Sequence, residues 1–271
     1  MENSTSKIRI INHWACSGGT IISKCVASFP NIVFLSEVHP FGFLRLLEPN
    51  ESDYVPTDII QQLSFKRNKK DPNFCIAAFV GAIEELNKKV CDSNKILILR
   101  NHSHIDFFVG PVPRSGSLLT KILSDRNKLL EIVTVRHPLD SWLSLNNQRW
   151  NSQVQFNNFE EYCSRALIMI NSMQKLPIIY YEKFCIEPKN VLQEISNLLE
   201  IVYSDNFQED AHSFILSGDS GRSGKCIEPR NRRKIPEGYF DDLNKLKSYV
   251  ELCEKLNYDA SINSKFPYLL N

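Results

Sequence analysis

The stretch Ile8-Arg-Ile-Ile-Asn-His-Trp-Ala-Cys-Ser-Gly-Gly-Thr20 decides the fold. It opens on a short β-branched run, passes through a tight turn of small residues and continues as a helical pattern from Thr20 to Phe29. A run of strand length with so little polar alternation fits a parallel sheet covered by helices on both faces. In such a strand–turn–helix unit the turn's N–H groups point inward and the helix N-terminus adds partial positive charge. Together they cradle an anion. Gly18 and Gly19 allow close backbone approach, Thr20 supplies a hydroxyl, and Cys16 and Ser17 lie in the same turn. The turn differs from that of the nucleoside triphosphatases, which ends Gly-Lys-Ser/Thr, because the Lys position is Gly19. Taken alone, the stretch also reads as a plain Gly-rich connection.

Outward from this unit the same alternation continues. Strand-length runs stand at Ile32–Leu35, Ile96–Leu99, Ile132–Val135 and Ile178–Tyr181, with helical spacing over Pro72–Val90, Leu139–Gln148, Phe159–Lys175 and Pro188–Leu199. Pro72 and Pro188 fall in first turns, where a missing N–H costs nothing. Strands alternating with helices predict right-handed crossovers and an α/β three-layer sandwich with a mainly parallel central sheet. From Ser217 to Pro236 the chain is rich in Gly, Ser, Arg and Pro, and a last helix is predicted over Tyr239–Leu256. No repeat or linker divides the chain, so residues 1–271 read as a single domain.

A formal charge of +1 argues against a general nucleic-acid binder. The eight cysteines include no Cys-x-x-Cys pair, which fits neither a zinc cluster nor a redox dithiol. The N-terminus has no apolar core or cleavage site of a secretory signal, and no run approaches the ~20 apolar residues of a transmembrane helix. A reducing cytoplasm is the expected compartment. The oligomeric state is not written in any segment.

A second anion site follows the strand Ile132–Val135. Arg136 stands at its carboxyl end, where open α/β sheets bind ligands, and Ser144 comes about two turns later. The guanidinium fork matches phosphate oxygens. The alternative is an ion pair from Arg136 to Asp140.

Ser-Gly-Gly-Thr after the first strand, then Val-Arg-His-Pro-Leu-Asp-Ser-Trp-Leu-Ser after a later one, resembles the sulfotransferase superfamily. Pro177-Ile-Ile-Tyr-Tyr-Glu-Lys-Phe with the Pro-led helix after it resembles that family's late strand and helix. Ser217-Gly-Asp-Ser-Gly-Arg-Ser-Gly…Arg230-Asn-Arg-Arg resembles its C-terminal Gly/Arg loop, which closes over the donor. The resemblance implies a P-loop-NTPase-like sandwich and 3′-phosphoadenosine 5′-phosphosulfate as donor, with adenosine 3′,5′-bisphosphate as product. The first loop, Cys16 to Thr20, would hold the phosphosulfate, and Arg136 with Ser144 the 3′-phosphate. Among Arg222, Lys225, Arg230, Arg232, Arg233 and Lys234, Arg222 and Arg230 are chosen as further donor contacts, with Arg233 behind them. At least half of such a basic run is expected to be a solvated face. One departure stands out. Many members carry Lys or Arg just before the Ser-Gly, and this chain has Cys16. Either the charge comes from elsewhere, with Lys24 the nearest candidate, or the loop is catalytically weak.

Sulfuryl transfer is an in-line displacement, so positioning and electrostatics should dominate, with a base on the acceptor hydroxyl. The resemblance favours Glu37 in Leu35-Ser-Glu-Val-His39. It also draws attention to His102 and His104 in Leu99-Arg-Asn-His-Ser-His104, where other members place a catalytic His. His39 is a further candidate, and for each a structural role is the alternative. No metal is expected, since a third ligand at suitable spacing is absent. The acceptor is expected to be a carbohydrate or small metabolite. Phe41, Phe43, Leu44, Tyr54 and Phe65 are possible lining residues. Two alternatives stand: a non-catalytic nucleotide-binding member of the fold, and a P-loop-like small-molecule kinase.

Overall fold

The computed structural model describes residues 7–41, 73–147, 158–211, 227–235 and 243–270. Strands β1 (Lys7–His13), β2 (Ile32–Val38), β3 (Ile96–Asn101), β4 (Lys128–Val135) and β5 (Ile178–Tyr180) form one sheet in the order β2-β3-β1-β4-β5. Every pairing is parallel. The helices are α1 (Gly19–Ala27), α2 (Asn73–Asp92), α3 (Ser103–Phe107), α4 (Leu118–Ser124) and α5 (Pro138–Asn147), then α6 (Phe159–Ser172), α7 (Tyr181–Ile186), α8 (Pro188–Leu199), α9 (Phe207–Asp210) and α10 (Lys247–Lys255).

Strand alternation sorts the side chains to two faces. Ile11, Ile98, Ile132 and Ile179 pack with Ile22 and Val26 of α1 and with Leu192 and Ile195 of α8. On the other face Ile8, Ile10, Leu97 and Leu99 meet Val80 and Ile83 of α2 and Leu119 of α4. Val133 and Val135 on that face join Trp142 of α5, Tyr162 of α6 and Leu252 of α10. Each such side chain contributes about 1.5–3 kcal/mol by leaving water, which is why both faces must be covered. Arg9 interrupts the apolar run of β1 without facing water. Its Nε donates to the Leu199 carbonyl at 2.7 Å and its Nη2 to that of Glu200 at 3.4 Å, satisfying the last carbonyls of α8.

The predicted strands all form, most of them longer by a few residues, and α8 has the predicted bounds with Pro188 in its first turn. The short helices α3, α4, α7 and α9 carry too few turns to show a period in the sequence. The predicted last helix, Tyr239–Leu256, is interrupted. A 3₁₀ turn (Leu243–Lys245) precedes α10, and Leu246 between them is extended, with ψ 97°. Pro72 lies outside the described residues. Because β1 is central, with β3 on one side and β4 on the other, the chain reverses its winding there, and a crevice opens at the strands' carboxyl ends.

Candidate active site

His13 and Arg100 end β1 and β3 on the face that carries Ile11 and Ile98, the face covered by α1. Arg100 is fully buried there. Its Nη1 donates to Thr20 Oγ1 in the first turn of α1 at 2.9 Å, and its Nη2 donates to Glu37 Oε1. Regular pairing from Leu35↔Leu99 would set residue 37 opposite residue 101, but Val38 takes that place. The extra residue is a bulge, and Glu37 holds φ at +57° within it. A bulge re-aims a side chain, and this one brings the Glu37 carboxylate to Arg100.

The same carboxylate lies 3.0 Å from His102 Nε2 and 3.7 Å from His13 Nε2. Burial alone would raise the Glu37 pKa, yet His13, Arg100 and His102 together outweigh it and hold the group near about 2. Burial lowers His102 to about 4 and His104 to about 3, and lowers His13 as well. At neutral pH the cluster therefore holds one carboxylate, one guanidinium and three neutral imidazoles. His104 stacks between His102 and Phe108, with centroids at 6.3 and 5.6 Å. The Nδ1 atoms of His13 and His104 are buried without a hydrogen-bond partner among the described residues.

His39, also a sequence candidate, is set apart from this group. Its Nε2 lies 3.1 Å from Asp106 Oδ1 and its Nδ1 accepts the Phe41 N–H at 3.0 Å.

In the turn after β1, Gly18 has φ +85° and no side chain caps α1. A Cβ on Gly18 would overlap the Tyr181 ring, and one on Gly19 would come within 2.8 Å of His13. Both glycines answer to close approach, not to flexibility. Ser17 is buried and its hydroxyl has no partner among the described residues. Cys16 holds φ at +62°, and its carbonyl accepts from Arg136 Nη1 at 3.3 Å. The Arg136 guanidinium also lies over the Tyr181 ring, 4.9 Å from its centroid. The two motifs, 120 residues apart, are thus in contact. Ser144 is buried on α5, about two turns beyond Arg136. Lys24 sits half-buried on α1, a turn past Thr20.

The alternative partner of Arg136, Asp140, is taken by Arg232, whose Nε donates to it at 3.0 Å. Below Arg136 lies a closed polar floor. Glu182 Oε1 accepts the His137 N–H at 2.9 Å and Oε2 accepts the Tyr258 hydroxyl at 2.7 Å. Burial raises Glu182 to about 7 against those bonds and against Arg136. His137 is ringed by Tyr249, Tyr258 and Tyr268, and burial, followed by Arg232, lowers it to about 3. Arg230 is exposed, 3.7 Å from Glu228, and Arg233 is exposed too. Arg222 lies outside the described residues, as do Phe43, Leu44, Tyr54 and Phe65.

An unpartnered buried hydroxyl, a turn whose two glycines leave no room for side chains, and cations on both flanks fit an elongated ligand with anionic groups at two points. No protein-family model matches the chain, and no curated protein matches it in sequence. Solved structures do match. The sulfotransferase domain of the Synechococcus PCC 7002 olefin synthase superposes with a TM-score of 0.63 at 16% identity, over 94% of this chain and 96% of that domain. The fold is that of the sulfotransferases. A second structure, the sulfotransferase domain from the curacin biosynthetic pathway, gives a TM-score of 0.57 at 13% identity, over 93% of this chain and 98% of that one.

Within this sulfotransferase fold, sequence reasoning passed over Arg100 and Arg232 as site-forming residues. Arg100 left a visible signal, a charge closing an apolar strand run two residues before His102. Arg232 left none, because it stands in a run of bases that all read alike. Among the described residues no group of three or more His, Cys, Asp or Glu could hold a metal ion, and no helix is long and apolar enough to cross a membrane.

Proposed function

We propose that the protein transfers a sulfuryl group from 3′-phosphoadenosine 5′-phosphosulfate to a hydroxyl of a carbohydrate or small metabolite, as a single domain acting in the cytoplasm. One observation carries the reading. The chain Thr20–Arg100–Glu37–His102 joins the anion-binding turn to a cluster of candidate bases at the same crevice. Ser17, Gly18, Gly19 and Thr20 would hold the phosphosulfate, and Arg136 with Ser144 the 3′-phosphate. Arg222 and Arg230 would add charge from the C-terminal loop. The bound donor supplies the sulfuryl group and a phosphate leaving group.

Cys16 leaves the turn without its own cation. Arg100 is better placed than Lys24 to offset charge there, because its guanidinium already contacts Thr20. A buried cation acts with little screening and needs no reorganisation during the reaction. Glu37, His102 and His104 stand together as candidate bases.

The first test is thermal-shift titration with adenosine 3′,5′-bisphosphate beside AMP and ATP. At a hundredfold excess over Kd a native-state ligand stabilises by ~2.7 kcal/mol, or roughly 5–10 °C for a chain of this size. The bisphosphate is expected to give that shift, AMP and ATP little, and Arg136→Ala none. A response to ATP alone would move the kinase reading ahead. Cys16 favours a second reading, a nucleotide binder without turnover. Bisphosphate binding with no sulfuryl transfer to any acceptor would support it.

A further inference from the structure

The floor beneath Arg136 holds an ionisable group that sulfuryl transfer leaves unused. Glu182 is 1% exposed and is tied to Arg136 at two points along the chain. Its Oε1 accepts the N–H of His137, the residue after Arg136, at 2.9 Å. The ring of Tyr181, the residue before Glu182, lies under the Arg136 guanidinium. Both carboxyl oxygens are met by neutral donors, the His137 N–H and the Tyr258 hydroxyl, and among the described residues no cation forms an ion pair with them.

The groups that face Glu182 are Arg136 at the end of β4, Tyr180 of β5, Cys185 of α7 and Tyr258 of the C-terminal segment, with His137 at its backbone. Only Arg136 among them is charged at neutral pH, since burial keeps the His137 ring, the phenols and the thiol neutral. Asp140, which also faces Arg136, is answered by Arg232. One guanidinium and one buried carboxyl therefore share the floor. Burial favours the protonated carboxyl, the two hydrogen bonds and Arg136 oppose it, and the group titrates near about 7. A 3′-phosphate arriving at Arg136 brings two negative charges to the same guanidinium. A carboxylate beneath would repel them in a place largely closed to water, and a proton on Glu182 removes the repulsion.

We propose that Glu182 takes up a proton when the donor's 3′-phosphate binds at Arg136, so that phosphate and proton enter the site together. The proposal rests on the sulfuryl-transfer reading and on Arg136 as the 3′-phosphate contact. The proton comes from solvent and bonds to Oε2. Oε1 faces an N–H that can only donate, whereas the Tyr258 hydroxyl at Oε2 can accept as well. Linkage fixes the sign. Affinity falls as pH rises above about 7, because the free protein has then lost a proton that the complex keeps.

The experiment is calorimetric titration with adenosine 3′,5′-bisphosphate at about pH 7.5 in buffers of different ionisation enthalpy, with Kd followed from about pH 7 to about 8.5. A phosphate monoester loses its second proton near about 6, so the ligand is already ionised and takes up no proton of its own. If the bound phosphate makes the carboxylate about tenfold more basic, wild type takes up roughly 0.5 proton and its Kd rises roughly fourfold over that range. Glu182→Gln, which imitates the protonated carboxyl, should show no uptake and a nearly flat Kd, several-fold below that of wild type at the alkaline end. Tyr258→Phe serves if Glu182→Gln does not fold. It removes a hydrogen bond that favours the carboxylate, so uptake should shrink at about pH 7.5 and reappear near about 8.5.

Wild-type binding with no buffer-dependent heat, or the same uptake in Glu182→Gln, overturns the proposal and leaves the donor reading standing. A wild type that binds no bisphosphate overturns the donor reading, and this proposal with it.

Discussion

Two histidine–carboxylate pairs lie near the end of β3, built from the same groups at nearly the same distance: His39–Asp106 at 3.1 Å and His102–Glu37 at 3.0 Å. In the first pair the remaining hydrogen-bonding capacity is used. His39 Nδ1 takes the Phe41 N–H, Asp106 Oδ2 takes the Leu118 N–H at 2.9 Å, and both side chains are sealed from solvent. In the second pair both side chains stay partly exposed, the imidazole at 16% and the carboxylate at 18%, and the carboxylate is shared with Arg100. Saturation is what a structural clasp needs, since a buried polar atom left unpaired is costly. Partial exposure at a crevice is what a base needs to reach an acceptor. The backbone agrees. Glu37 holds a left-handed φ within a bulge, a conformation retained because the surrounding contacts over-determine it.

The largest effect should come from breaking the open pair. Glu37→Gln and His102→Gln should each lower sulfuryl transfer by roughly 10²–10⁴-fold, about 3–5.5 kcal/mol of barrier, whereas Asp106→Asn should leave the rate per folded molecule nearly unchanged. Steady-state rates normalised to folded protein make the comparison. Equal losses in all three variants would erase the distinction between the pairs.

Breaking the closed pair should appear as instability. Asp106→Ala leaves the His39 ring and the Leu118 N–H without their acceptor, and the Arg114 guanidinium, with Nε 3.0 Å from Oδ1, without its counter-charge. A loss of about 3–5 kcal/mol follows, read as a Tm lowered by at least roughly 6 °C. A drop below about 2 °C would mean the clasp holds nothing.

Acidity tests the neutral imidazoles. Burial lowers His102 to about 4 and His104 and His137 to about 3, from an ordinary 6.5. As pH falls below 6.5 the unfolded chain takes up protons at these rings and the folded chain does not, so stability declines. Glu182 works the other way. Its carboxyl, raised to about 7, keeps a proton in the fold that the unfolded chain releases above 4.5. Three rings against one carboxyl leave a net loss toward acid. Below 4.5 the Glu37 contribution, with its pKa near about 2, begins to go as well. The Tm should therefore fall steadily from pH 6.5 to 4, less steeply in His102→Gln. A Tm flat over that range would contradict the burial of these rings.

Much of this arrangement was legible in the chain. The five strand runs, the turn at Ser17–Thr20 and the placement of Arg136 at a strand end all follow from local pattern, and the sheet needs no more than that. The partnership of Glu37 with Arg100 was not legible, because it depends on a one-residue slip between β2 and β3 that no periodicity records. Nor could the sequence separate His39 from His102. Both follow strand runs, and the difference lies in Asp106, 67 residues from His39. Sequence pattern gives the element and the end of the element. Which lone pairs remain unused is settled only by packing.

The arginines of the C-terminal segment extend the comparison at smaller scale. Arg232 is saturated like the His39 pair. It donates to Asp140, to the Ile262 carbonyl at 3.0 Å and to Ser264 Oγ at 3.2 Å, and covers the Tyr268 ring at 4.5 Å. Arg232→Ala should cost about 1–3 kcal/mol and lower the Tm by roughly 3–8 °C, because it leaves the buried Asp140 carboxylate uncompensated. Arg230 is open like His102, exposed and only 3.7 Å from Glu228. Such a pair adds little, so Arg230→Ala should move the Tm of the free protein by less than about 2 °C. Its proposed work is with the donor. The same variant should weaken adenosine 3′,5′-bisphosphate several-fold in calorimetric titration, through loss of one charge-assisted contact. Unchanged affinity would class Arg230 with the solvated bases of that run and leave the 3′-phosphate to Arg136 and Ser144.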